Sequence, residues 1–290
     1  MHEILSHIPT IYLANLNDIH MPHQAINTSL MNLAFTDALL SQSGREKTAF
    51  LHFWRSNQPT IILGMLDKSL TYFDKGMAYL KKEDYQPFVR HSGGLAVPSD
   101  EGTLNFSLII NNPQEDRVLI DDGYTLVYQL LRDSFQPFED RVQAKEVPNS
   151  YCPGDFDIVL DGRKIAGLAQ RRTKNGLAIM GYISVNGDQE KRARLVQSFY
   201  QIAKGTEPSQ KRYPMIDPAV MTTVADRIPS IQTTNHLEKR MIQALRTYGI
   251  AVKVPHLPTD LQEAYESSLN KLIKRNQKML GQLFEKEVFT

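Results

Sequence analysis

The single cysteine of the chain, Cys152, sits in Asn149-Ser150-Tyr151-Cys152-Pro153-Gly154-Asp155, a run of turn formers and not an apolar periodic stretch. A lone cysteine usually reads as a small buried hydrophobe, but turn formers on both sides predict a partly exposed position and leave its reactivity open. Only a few per cent of an unperturbed thiol is thiolate at neutral pH, so a nucleophilic Cys152 needs a nearby cation or base. Lys164 follows twelve positions later, beyond an Asp161-Gly162 turn that folds the chain back. Its ammonium would favour the thiolate and could stabilise an oxyanion; alternatively Lys164, beside Arg163 and near Arg171-Arg172, lies on a solvated strand face. His91 would form a Cys-His dyad if it met the thiol, and otherwise reads as a strand or loop residue with a satisfied hydrogen bond. Gly93-Gly94 fits neither the Gly-x-x-x-x-Gly-Lys phosphate loop nor a Gly-x-Gly-x-x-Gly helix opening. The pair is expected to let a backbone approach a bound group closely.

The elements around these residues mix α with β. Helical spacing runs from about Ala25 to Gln42, with Gly44 as a stop. Residues 49–56 and 60–65 read as two strands joined by a turn, and Leu104 to Ile110 as a strand closed by Asn111-Asn112-Pro113. A helix is expected over Asp122 to Phe135. The clearest β signal is FDIVL, RKIAGLAQRR and LAIMGYISV, separated by Asp161-Gly162 and Asn175-Gly176, which predicts a three-stranded antiparallel meander. Asp188 should cap a helix that ends at Gly205, residues 206–218 read as a linker, and helices near Asn235 to Tyr248 and Asp260 to Phe284 predict a separately packed helical C-terminal part. Phe50, Phe53, Trp54, Ile61, Ile62 and Leu63 are expected mostly in the core, although they could line an apolar pocket. Lys271, Lys274, Arg275 and Lys278 form a basic helical stretch, either a solvated face or a contact for an acidic partner.

Composition excludes several classes. The 290 residues carry 33 Lys plus Arg against 32 Asp plus Glu, with 41% hydrophobic residues, which is the balance of a globular protein and not of a dedicated nucleic-acid binder. No apolar run approaches the length needed to span a bilayer, and MHEILSHIPTIYL lacks a basic n-region before an apolar core, so neither a membrane nor an export role is expected and the cytoplasm is. One cysteine permits no intramolecular disulfide and no multi-thiolate metal site in one chain.

Three segments together resemble the biotinyl/lipoyl cofactor transferases, which include lipoate ligases and octanoyltransferases. They are Arg90-His91-Ser92-Gly93-Gly94-Leu95-Ala96-Val97 continuing to Asp100-Glu101-Gly102-Thr103-Leu104-Asn105-Phe106-Ser107, then Gly162-Arg163-Lys164-Ile165-Ala166-Gly167-Leu168-Ala169-Gln170, and Ser150-Tyr151-Cys152-Pro153-Gly154-Asp155-Phe156-Asp157. Within the family the chain is most similar to the lipoyl amidotransferases. ATP-dependent lipoate ligases typically show a third glycine where Leu95 stands and His-Asp where Ser99-Asp100 stands.

The resemblance covers about residues 45–228, taken as an acyltransferase catalytic domain, with 229–290 as a helical C-terminal extension. It implies an α/β (α+β) fold, a mostly antiparallel β-sheet flanked by helices with a small helical C-terminal portion. It also implies that Cys152, activated by Lys164, takes an octanoyl or lipoyl group from the lysine of the glycine cleavage H protein as a thioester and passes it to lipoyl domains of 2-oxoacid dehydrogenase E2 subunits. Arg90, Ser92, Gly93, Gly94 and Gln170 would shape the acyl pocket. No ATP, no metal, no nucleic acid and no membrane would take part, and the default is a monomer. The rival readings are an octanoyl-acyl carrier protein-dependent octanoyltransferase acting on the H protein, an ATP-dependent lipoate ligase, and a carrier-binding module without catalysis.

Overall fold

Alternation of side chains along three long strands divides the interior of the protein into two layers. Phe50 and Trp54 of strand β2 (Ala49–Trp54), Ile109 of β6 (Thr103–Asn111), and Ala178 and Tyr182 of β10 (Gly176–Ser184) face one buried cluster. Leu51, Phe53, Phe106, Leu108, Leu177 and Ile179 of the same strands face a second one. With both faces covered, these strands are buried along almost their whole length, polar His52, Asn105 and Ser107 included. The computed structural model describes residues 5, 7–19, 29–205, 213–255 and 259–284. The expected start of the first helix at residues 25–28, residues 206–212 of the expected linker and residues 285–290 of the C-terminal extension lie outside the described residues.

The remaining strands of the large sheet are β1 (Thr10–Ala14), β7 (Val142–Ala144), β8 (Ile158–Leu160), β9 (Arg163–Arg172) and β11 (Ala251–Lys253). Its order is β11-β1-β2-β6-β10-β9-β8-β7, parallel at the β11-β1-β2 end and antiparallel elsewhere. The fold is thus the expected one, a mostly antiparallel sheet flanked by helices. The meander forms as expected, but its two turns differ. Asp161 and Gly162 both take positive φ, +50° and +79°, the two-residue turn that Asp-Gly favours. The second connection is a three-residue loop closed by Thr173 N–H donating to Gly176 O at 2.9 Å. Gly176 is needed there for packing, because a Cβ would lie 2.8 Å from the Leu40 carbonyl oxygen.

A second sheet sets β3 (Thr60–Leu63) between β4 (Gln86–Val89) and β5 (Val97–Ser99). β2 and β3 form as the two expected strands, but they belong to different sheets. Helices α1 (Ser29–Glu46), α2 (Phe73–Lys82), α4 (Gln189–Lys204) and α6 (Thr259–Leu280) cover one face, and α3 (Ile120–Ser134) and α5 (Thr234–Thr247) the other. α1 runs two residues past Gly44, and Lys47, at φ +56°, ends it instead. Asp188 caps α4 by accepting from Lys191 N–H at 2.8 Å. The C-terminal part does not pack apart. Leu261, Tyr265, Leu272 and Ile273 of α6 share the buried cluster of α1, and β11 pairs with β1. Asn276 of α6 accepts from Val89 N–H at 2.7 Å and donates to Val89 O at 3.1 Å, tying the helix to β4 one residue before Arg90.

Candidate active site

The loop between β7 and β8 carries Cys152 on an unusual backbone. Cys152 takes φ +46°, a conformation that L side chains rarely adopt, that costs about 1–3 kcal/mol and that persists only where the surroundings enforce it. The enforcement comes from Lys164. Its Nζ donates to the carbonyl oxygens of Tyr151 and Cys152, both at 2.9 Å, and to Ser150 Oγ at 3.1 Å. The same ammonium pairs with Asp157 Oδ1 at 2.8 Å, the two side chains being 4% and 2% exposed. Lys164 is therefore no part of a solvated strand face. Cys152 itself is half-buried.

A β-bulge aims the lysine. Val159 pairs with Lys164 while Ile158 pairs with Ala166, leaving Ile165 as the extra residue on β9. Strict alternation would put Lys164 and Gly167 on opposite faces; the inserted residue brings both to one wall, where a Gly167 Cβ would lie 3.7 Å from Lys164 Cε. Burial pushes the Asp157 carboxyl up, while the Lys164 charge and hydrogen bond pull it down. A buried ion pair is tolerated only when its remaining hydrogen-bonding capacity is filled, and here Asp157 also accepts from Val147 N–H at 3.2 Å.

The glycine segment wraps the thiol from the other side. Arg90, buried, donates from Nη1 to Ile62 O at 3.1 Å and from Nε and Nη2 to Gly93 O at 3.0 and 2.7 Å. Its Nη2 lies 3.9 Å from Cys152 Sγ, and Leu95 N–H donates to that sulfur at 3.1 Å. Gly94 has φ +96°, and a Cβ on it would lie 2.4 Å from Arg90 Nη2 and 2.8 Å from Cys152 Sγ. Behind the segment, Ala96 N–H donates to Tyr200 Oη at 3.0 Å, Tyr200 donates to Asp67 Oδ1 at 2.8 Å, and Asp67 Oδ2 accepts from Gly64 N–H at 2.8 Å.

A cavity of about 400 Å³ joins these parts. Cys152, Lys164, Arg90, Ser92, Gly93 and Gly94 line it together with apolar Leu33, Trp54, Ile62, Val97 and Met180. Its volume lies within the usual range of small-molecule sites. Of the six strand residues expected mostly in the core, Trp54 and Ile62 thus serve the cavity as well. Gln170 also borders it, with its amide committed: Nε2 donates to Ile120 O at 2.6 Å, and Oε1 accepts from Arg172 Nη2 at 2.6 Å. His91 does not line the cavity; its Nε2 lies 2.8 Å from Asp37 Oδ1, which also accepts from Arg171 Nε at 2.6 Å.

Sequence reasoning did not single out Asp157, Ser150, the Leu95 amide or the Tyr200-Asp67 pair. It could have marked only Asp157, as a carboxylate in the same segment as the cysteine. Of the Ser99-Asp100 pair that stands where ligases show His-Asp, Asp100 is the residue in common, and its Oδ1 accepts from Arg192 Nε at 2.6 Å. Among the described residues no group of three or more His, Cys, Asp or Glu could hold a metal ion, and no helix is long and apolar enough to cross a membrane.

The sequence model of the lipoyl protein ligase A/B catalytic domain matches residues 28–246. The chain belongs to that family. Among its family relatives, octanoyl-[GcvH]:protein N-octanoyltransferase of Macrococcus caseolyticus is 33% identical over 86% of this chain and 90% of its own length. Lipoyl-[GcvH]:protein N-lipoyltransferase of Listeria monocytogenes is 34% identical over 77% of this chain and 80% of its own. The crystal structure of lipoate-protein ligase A bound with ATP superposes with a TM-score of 0.68 at 16% identity, covering 91% of this chain and 95% of that one, which shows that the family fold is shared.

Proposed function

We propose that the chain is an acyltransferase of protein lipoylation. It takes an octanoyl or lipoyl group from the lysine of the glycine cleavage H protein (GcvH) and delivers it to lysines on the lipoyl domains of 2-oxoacid dehydrogenase E2 subunits. Cys152 carries the group in between as a thioester. The observation that carries this reading is the placement of the thiol, a backbone N–H and a buried ammonium around one largely apolar cavity. The names of relatives that match most of the chain supply the donor and the group transferred.

Burial of the acyl chain against Leu33, Trp54 and Ile62 is worth roughly 0.8 kcal/mol per methylene, enough to hold an eight-carbon chain while its carrier is exchanged. In the first half, the Cys152 thiolate attacks the amide carbon, the oxyanion forms near the Leu95 N–H and the Lys164 ammonium, and Lys164 gives a proton to the departing lysine nitrogen. In the second half, the amine of the acceptor lysine attacks the thioester, neutral Lys164 takes the surplus proton, and the thiolate leaves. Protons and charge balance over the cycle. The first half runs uphill from amide to thioester and the second recovers that loss, so the exchange needs neither ATP nor a metal. Splitting one difficult transfer into two easier steps is what covalent catalysis offers. The enzyme would work as a monomer in the cytoplasm, where both carriers must meet it in turn.

The test is transfer from octanoylated GcvH to an unmodified E2 lipoyl domain without ATP, followed by mass spectrometry of both carriers. Octanoate should leave one carrier and appear on the other with wild type and not with Cys152→Ala. Labelling from octanoyl-acyl carrier protein alone, or octanoate-dependent pyrophosphate release from ATP, would replace this reading with one of its rivals.

A further inference from the structure

We propose that Asp157 is a positioning residue for acyl transfer, fixing the Lys164 ammonium against the Cys152 loop and keeping it charged there. The inference rests on Cys152 as the acyl carrier and adds the group that governs its cation. Asp157 closes the loop at three points. Its carbonyl oxygen accepts from Lys145 N–H at 3.0 Å, its Oδ2 from Val147 N–H at 3.2 Å, and its Oδ1 holds Lys164 Nζ at 2.8 Å. One carboxylate thus links the start of the loop, its end and the strand that carries the lysine.

The proton count gives the pair its use. Lys164 Nζ has three hydrogens and four acceptors within 3.1 Å: Asp157 Oδ1, the Tyr151 and Cys152 carbonyls, and Ser150 Oγ. One acceptor is in surplus, so a hydrogen can swing from a loop carbonyl to the oxyanion or the leaving nitrogen while the ammonium stays anchored. Asp157 is the anion among the four. The charged and titratable groups facing Lys164 are Asp157, Cys152 and the Tyr151 ring, 6.0 Å from Nζ; Arg90 approaches the thiol from the glycine segment. β8 presents Val159, and Met221 and Thr222 run beside the Lys164 backbone. Without Asp157 a lysine 4% exposed keeps only neutral partners, and burial then favours its uncharged form.

The pH profile of acyl-enzyme formation, read as acyl-Cys152 by intact mass after mixing with octanoylated GcvH, tests this. Asp157→Asn is nearly isosteric and can still accept from Val147 N–H. Its alkaline limb should move to lower pH, whereas Asp157→Glu, which keeps the charge, should hold the wild-type limb whatever its rate. A role confined to folding would lower the rate and leave the limb in place, and that result overturns the proposal. The double variant Asp157→Asn with Lys164→Ala removes both charges together and serves if the single variant does not fold. It should react at the rate of Lys164→Ala alone, and a further tenfold loss would mean that Asp157 does not act through Lys164. Absence of the adduct from wild type would instead contradict Cys152 as acyl carrier.

Discussion

Cys152 presents its sulfur from a left-handed backbone position that Lys164 holds by two carbonyls, while Gly94 leaves the space the sulfur and Arg90 fill. Gly94→Ala strains a φ of +96° and drives a methyl into both neighbours, so acyl-enzyme formation should slow by at least about tenfold, a loss of about 1.4 kcal/mol in transition-state stabilisation. Gly93→Ala meets no atom within 4 Å and should cost far less. Stopped-time mass spectrometry of both variants compares them; equal rates would refute the steric argument. At this scale the sequence was informative about residue types. The turn formers around Cys152 marked a thiol outside a periodic core run, and the family resemblance paired it with Lys164. Asp157 could be marked only as a carboxylate in the cysteine segment; its role was not legible, since it depends on a bulge at Ile165 and on a loop closing over ten residues, neither of which has a periodic signature.

Elements position these residues through contacts that are long in sequence. β3 meets the glycine segment at Gly64, where a Cβ would lie 1.8 Å from Gly94 O, and α4 meets it through Tyr200 and Asp67. Burial pushes the Asp67 carboxyl up to about 6, while Tyr200, the Gly64 N–H and Arg90 pull it back. A carboxyl raised in the folded chain binds its proton more tightly there than when unfolded, so its stabilisation is present below the ordinary carboxylate range and is lost as pH rises through about 6. Melting temperatures at about pH 5 and about pH 7 should therefore fall more steeply for wild type than for Asp67→Asn, whose side chain does not titrate. Equal slopes would show that Asp67 does not titrate in this range. The β8-β9-β10 meander and the helices were legible because long amphipathic runs and the Asp161-Gly162 and Asn175-Gly176 turn formers are local signals. β1, β5, β7 and β11 span three to five residues and are too short for a period, and the parallel pairings of β1 with β2 and β11 follow from tertiary packing alone.

Across the whole molecule, the cavity gathers residues from both sheets and from the loop that carries Cys152. The C-terminal residues reinforce it: α6 shares the core of α1 and holds β4 through Asn276, so the last helix buttresses the strand that leads to Arg90. Helical periodicity marked α6 in the sequence, but a repeat of apolar positions does not say which surface they cover. The central claim is that Cys152 alone carries the acyl group between two proteins. Intact-protein mass spectrometry of the enzyme mixed with octanoylated GcvH, without ATP, tests it most directly. The expected result is a hydroxylamine-sensitive octanoyl adduct on wild type and none on Cys152→Ala; no adduct on wild type, or an equal one on the variant, would contradict it.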